Sequence, residues 1–449
     1  MKRLFASVLL LSFLTGVASC KKQADPSQAD LSGIFYSHGE DGYFSMLDEG
    51  YTVPVRDQGP PGACGAYASA SAIQRNILYT SGVDFDVDPA DVIIDSCGVD
   101  KTEGLRLTSE NYYETAYSGP VDIEWAMADG YDGYTLIAAP TYYGMPNEEI
   151  SLEMIQDAVR TYGGVTAIMQ ISTPKVNGWH NGYYTVYDNG TSINHVVNII
   201  GYDDHFPADC FDGQVSSDGA WLVQNSFGES WGNSGYFWLS YESNIRFVDT
   251  FSLSNRYSEV ISYASGAEGS LIAGEDTTVG CIYDHSGSIG GVGTYLGWYQ
   301  NEDGHMSISS EEVSVTVEVR TADLSEVLYS QDAAFDMGGY YVVEFDTPVE
   351  VDGEFAVVVT YHNSNFAPLE GASNSAYNTQ MEYITSCEPG NSFIYYDDQW
   401  LDLADPATSE YMVTRLIEEG IWPEASDAPE TIQAMSEPAT DPYINVLFV

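Results

Sequence analysis

A cysteine placed at the start of a helix, with a glutamine six residues before it, can carry nucleophilic chemistry. Residues 53–68 read VPVRDQGPPGACGAYA: Gln58, a Gly- and Pro-rich turn, Cys64, then a small apolar run. At a helix N-terminus, backbone N–H groups and the helix dipole stabilise a thiolate. The side-chain amide of Gln58 and the Cys64 N–H form a two-donor pocket for a developing oxyanion. Such a thiol needs a base. Of the seven histidines, His195 is the best placed, because it opens the apolar run in INHVVNIIGYDD. Asn225 ends another apolar run, WLVQN, and suits a neutral group that orients an imidazole. A lone cysteine or histidine is more commonly a core or capping residue; the surrounding blocks reverse that reading here. His180, in NGWHNGYY, is a rival base without an orienting block.

Positioning these groups requires an α+β framework. Residues 66–78 contain no Gly or Pro and read as a helix; Leu152–Tyr162 reads as a second, amphipathic helix stopped by Gly163-Gly164. Strands are expected at 165–171, 195–202, 220–224 and 236–241. From about residue 257 the pattern turns almost wholly to strands and turns. Residues 313–320 (VSVTVEVR) alternate at period two, and 340–345 and 354–361 are further strands set apart by Asp/Gly turns. This spacing reads as an all-β antiparallel sandwich. The expected organisation is 1–19 signal peptide, 20–34 tether, 35–254 α+β domain, 255–418 sandwich, and 419–449 acidic tail or final strand.

The chain has 449 residues, 67 of them acidic and 14 basic, for a net charge of −53. That charge excludes nucleic-acid binding by bulk electrostatics and a polybasic grip on anionic lipid. At the N-terminus, Lys2 and Arg3 precede the apolar run LFASVLLLSFLTGV, as in a signal peptide. It ends in Val17-Ala18-Ser19-Cys20, which resembles a bacterial lipobox and implies lipidation of Cys20. The expected location is extracytoplasmic, with membrane contact through lipid alone. The remaining cysteines, Cys64, Cys97, Cys210, Cys281 and Cys387, are scattered, and no cluster suggests zinc. The Asp-rich segment DDHFPADCFDG fits no EF-hand spacing and reads as a solvated loop. No metal or organic cofactor is expected.

Taken together, three blocks resemble a papain-like cysteine peptidase. They are Gln58-Gly59 through Cys64-Gly65-Ala66-Tyr67; Asn194-His195-Val196-Val197 running to Gly201-Tyr202; and Asn225-Ser226-Phe227-Gly228 with Trp231-Gly232 and Gly235-Tyr236. The resemblance covers about 45–241 and implies a two-lobed fold, protein or peptide substrates, and catalytic roles for Cys64, His195, Asn225 and Gln58. Three positions depart from the family: Gly65 and Phe227 stand where Trp is usual, and Pro61 where a disulfide-bonded Cys is usual, leaving Cys97 as its orphaned partner. The stretch from Cys20 to Gln58 is too short for the family's helical prosegment. The C-terminal region resembles the lectin-like β-sandwich that follows such peptidases in some prokaryotic surface proteins. It implies a surface carbohydrate partner; Trp298, Tyr299 and Trp400 are stacking candidates, although core or edge packing is the commoner fate of such residues. The sequence thus reads as a surface-anchored cysteine peptidase. The alternatives are a catalytically weak adhesion or binding protein on the same fold, and a Cys/His amidase of cell-wall peptides.

Overall fold

The computed structural model describes residues 41–59, 64–89, 133–143, 151–171, 174–190, 194–264, 268–272, 276–300, 306–364, 366–370, 387–418, 441–442 and 444–449. Cys20, Pro61 and Cys97 lie outside the described residues.

Helix α1 spans Cys64–Ser81 and is buried along most of its length. Alanines and serines let neighbours approach closely on several sides at once. Gly82 ends it with φ +70°, its N–H bonded to Leu78 O at 3.0 Å. Helix α2 spans Leu152–Tyr162. Ser151 caps its start by accepting the Met154 N–H, and Gly163 (φ 87°) closes its end on Val159 O. Ile155, Ala158 and Val159, at helical spacing, form its buried stripe.

Among the described residues, nine strands precede residue 250: β1 Tyr43–Ser45, β2 Thr135–Tyr143, β3 Val165–Met169, β4 Val176–His180, β5 Tyr183–Tyr187, β6 His195–Asp203, β7 Ala220–Gln224, β8 Tyr236–Ser240 and β9 Ile245–Asp249. The centre is β6, buried at every residue. It pairs antiparallel with β3 over residues 195–199, with β1 over 201–203, and with β7. Gly201 sits where β1 crosses: a Cβ there would lie 2.5 Å from Phe44 O. From β7 the sheet continues through β8, β5 and β4, and from β3 through β9 to β2.

The C-terminal region is built on two long antiparallel strands, Thr277–Leu296 and Gly339–His362, paired along almost their whole length. The strands expected at 340–345 and 354–361 therefore form parts of one continuous strand. Asp352-Gly353 stays in the ladder opposite Ser286 and His285 instead of turning the chain. Val313–Thr321 pairs with residues 355–362, and its Val315, Val317 and Val319 alternate into the core beside Val279, Val357 and Val359. The terminal strand Asn445–Phe448 pairs with both Glu259–Ile261 and Thr277–Leu296.

Strand β2 joins the two regions. It pairs with β9 at 141–143, with Ser252–Ser254, and with residues 339–341 of the long strand. The core follows this seam: Ala66, Ala70, Ile73 and Ile77 of α1 share one apolar cluster with Tyr295, Tyr340, Val342 and Leu447. Among the described residues, no helix is long and apolar enough to cross a membrane.

Candidate active site

Cys64 is the first residue of α1 and is 8% exposed. Its sulfur meets the backbone amides of Val196, Gly65 and Cys64 itself, and packs with Ala68 and Val196. The Val196 amide belongs to the residue after His195, so β6 and the helix start converge on the thiol. Burial pushes the Cys64 thiol up; the three amides oppose that shift.

His195 begins β6 opposite Met169 of β3 and is 3% exposed. The turn before it is tied down by Asn194, whose N–H bonds Met169 O and whose side-chain oxygen accepts the Ile171 N–H. His195 Nε2 lies 2.8 Å from Asn225 Oδ1. That same oxygen accepts the Ser226 N–H at 2.8 Å, which fixes which end of the amide is oxygen. Nε2 is then the protonated nitrogen of the neutral ring, and Nδ1 is left as the basic one. Phe227 stacks on the imidazole at 4.8 Å with planes 28° apart, so it covers one face of the His195 ring. Burial pulls the His195 pKa down to about 4, opposed by the Asn225 hydrogen bond.

Gln58 is held by a short antiparallel zip between 56–58 and 226–228. Its N–H bonds Ser226 O at 2.8 Å, Asp57 bridges Phe227, and the Gly228 N–H bonds Arg56 O. Its side-chain oxygen accepts the Ser226 hydroxyl at 2.5 Å. This anchors the carbonyl end of the amide and turns the NH₂ end away from Ser226. His180 lies at the end of β4, on the β4–β5 hairpin opposite Tyr183, and the Asn225 amide is engaged by His195 instead. In the Asp-rich loop, Asp203 Oδ1 accepts the His205 N–H and Asp204 Oδ1 accepts Gln156 and Tyr241. Among the described residues, no group of His, Cys, Asp or Glu could hold a metal ion. Trp400 packs against Tyr395 at 5.1 Å and under Arg320, an edge-packed position.

Two contributors escaped the sequence reading. Ser226 was visible only as a neighbour of Asn225, and nothing local signals that its hydroxyl reaches back 168 residues to Gln58. Arg75 is fully buried in α1 and donates to Asn198 Oδ1, Gln224 Oε1 and, at 3.2 Å, Tyr51 O. These acceptors are neutral, and burial lowers its pKa only to about 10, so the guanidinium stays charged at neutral pH. Arg75 thereby ties the helix of Cys64 to the strand of His195 and to the residue before Asn225.

Residues 43–258 match the papain family cysteine protease model, and residues 302–413 the lectin like domain model. Mouse (Mus musculus) cathepsin J is 28% identical over 215 residues, 45% of this chain and 61% of that protein. Chicken (Gallus gallus) cathepsin K is 26% identical over 201 residues, 43% of this chain and 56% of that protein. The chain thus spans under two thirds of the length of these curated relatives. Among solved structures, the clostridial cysteine protease Cwp84 after propeptide cleavage superposes with a TM-score of 0.64 at 16% identity, covering 90% of this chain and 98% of that one. The cysteine protease and lectin-like domains of Cwp84, a surface layer associated protein of Clostridium difficile, give 0.60 at 16% identity, covering 92% and 89%. This likeness shows that both regions share a fold and an order with that structure. Residues 43–258 thus carry a papain-family cysteine protease domain, and a lectin-like domain follows it at residues 302–413.

Proposed function

We propose that the chain hydrolyses peptide bonds through an acyl-enzyme formed on Cys64. The observation that carries this reading is the His195 Nε2–Asn225 Oδ1 hydrogen bond, which leaves Nδ1 as the base on the strand whose next amide meets the thiol. Cys64 Sγ attacks the carbonyl carbon while its proton passes to His195 Nδ1. The carbonyl oxygen becomes an oxyanion received by the Cys64 N–H and the Gln58 NH₂. The imidazolium then gives its proton to the leaving amine, and the C–N bond breaks. Water, deprotonated by His195, attacks the thioester, and the carboxylate leaves as the thiol is reformed. Burial favours the neutral pair, whereas the helix-start amides and Asn225 favour the charged one. Proton transfer creates two facing charges with no net change, so a small geometric shift on substrate binding moves the balance.

The signal-like N-terminus and Cys20 support a lipid-anchored, extracytoplasmic enzyme whose lectin-like domain places it against a surface carbohydrate. The direct test is labelling with an epoxide that alkylates active thiols, beside cleavage of an unfolded protein. Rapid labelling and cleavage, both lost in Cys64→Ala, support the peptidase. Labelling no faster than an ordinary thiol would make this a binding protein on a peptidase fold. Release of stem-peptide fragments from peptidoglycan without protein cleavage would make it a cell-wall amidase. Loss of membrane partition in Cys20→Ala tests the anchor.

A further inference from the structure

Among the described residues, Trp179 is the most exposed large apolar side chain, at 56%. It does not stand alone. Its ring meets Tyr184 edge-on at 5.7 Å, Tyr184 meets Trp231 at 4.9 Å, Trp231 meets Phe227 at 5.5 Å, and Phe227 stacks on His195. A continuous aromatic surface thus runs from the imidazole to solvent.

The support beneath this surface is rigid. β4 and β5 form a hairpin whose turn, Asn181-Gly182, has φ of 50° and 92°, both in the left-handed region a two-residue turn requires. Asn181 Nδ2 bonds Asp209 O at 3.2 Å, and Thr185 Oγ1 bonds Cys210 O at 2.8 Å, fastening the hairpin to the neighbouring loop. The Tyr184 hydroxyl donates to Asn177 Oδ1 at 3.0 Å, which fixes the ring against which Trp179 leans. Holding an indole in water on such a support has a hydrophobic cost that a ligand would recover.

The chemistry assigns the direction of this surface. His195 must protonate the leaving nitrogen, so the chain attached to that nitrogen departs over the imidazole and its covering ring. The ring-to-ring path from His195 across Phe227, Trp231 and Tyr184 to Trp179 is about 21 Å, and an extended peptide advances about 3.4 Å per residue, so at most about six residues carry it there. We propose that Trp179, with Tyr184, forms a binding subsite for an aromatic or large apolar side chain on the leaving-group side of the substrate, within about six residues beyond the scissile bond. This inference rests on the peptidase reading.

The test compares two substrates with the same acyl side. One ends in a coumarin amide at the scissile bond; the other continues for about six residues that are all Gly or carry a single Phe placed at the third to the sixth in turn. In the wild type, kcat/KM for the best Phe peptide should exceed that for the all-Gly peptide by about five- to tenfold, the worth of one aromatic contact. Trp179→Ala should erase that preference and lower the ratio of Phe-peptide to coumarin rates by the same factor; Trp179→Phe should restore most of it. Taking a ratio removes any general loss from misfolding. A wild type indifferent to Phe or Gly, or a ratio unmoved in Trp179→Ala, overturns the inference while leaving the peptidase reading intact. Absence of coumarin release from the wild type refutes the peptidase reading, and the inference falls with it.

Discussion

Ser226→Ala isolates one hydrogen bond with a defined task. The substitution removes the hydroxyl that holds Gln58 Oε1 at 2.5 Å, yet keeps the zip bond from Gln58 N–H to Ser226 O and the bond from Ser226 N–H to Asn225 Oδ1. The His195–Asn225 pair is therefore untouched. Losing the bond costs about 1 kcal/mol, and freeing the glutamine rotamers adds up to about 1.5 kcal/mol. Together these predict a fall in kcat of about 5- to 70-fold with little change in KM, because the amide matters only when the oxyanion forms. Removing the donor itself, in Gln58→Ala, should cost about 100- to 1,000-fold. The double variant should be no slower than Gln58→Ala alone, because Ser226 acts only through Gln58. The assay is steady-state hydrolysis of a fluorogenic peptide by all four proteins, with active sites counted by thiol titration. Multiplicative losses in the double variant would refute the anchoring argument, as would a Ser226→Ala enzyme altered only in KM.

Three further outcomes are expected. The active pair carries one proton between Cys64 and His195; it gains a second below about pH 4 and gives up the first only above the ordinary thiol range, given the directions of the two shifts. The profile of kcat/KM should therefore be a broad bell with its acid limb near 4; an acid limb near 6.5 would contradict the burial of His195. Arg75→Leu should lower stability by about 2–5 kcal/mol in urea unfolding, because it leaves Asn198 Oδ1 and Gln224 Oε1 buried without their donor; a loss under 1 kcal/mol would show that these oxygens find other partners. With a net charge of −53, basic peptides should be cut faster than acidic ones at low salt, and the advantage should shrink several-fold as the Debye length falls from about 30 Å at 0.01 M toward about 3 Å at 1 M; a constant ratio would assign the charge to solubility alone.

The proposed reactive groups could be singled out in the sequence because each lies inside a short block of its own: Gln58 and Cys64 around a Gly/Pro turn, His195 before an apolar run, Asn225 after one. Helix α2 was legible to the residue, since Ser151 and Gly163 mark its ends by local chemistry. The supports were not. Arg75 meets partners 123 and 149 residues away, and in the sequence it is merely a charge within a helix. The turn expected around Asp352-Gly353 failed for a similar reason. Those residues favour turns locally, but the facing strand offers a full ladder, and the long-range pairing prevails. Local composition also divided the chain near residue 255, whereas the apolar cluster beneath α1 draws on both sides of that point.

That cluster has a consequence for timing. The helix carrying Cys64 emerges early during synthesis, but Leu447, fully buried against the same core, emerges long after Asn225. A nascent chain can thus hold every reactive side chain while one wall of the nucleophile's helix is still missing. Completion of the fold around Cys64 is thereby tied to arrival of residues 445–448, and a ribosome-stalled or prematurely ended chain would carry the candidate reactive residues without this part of their support.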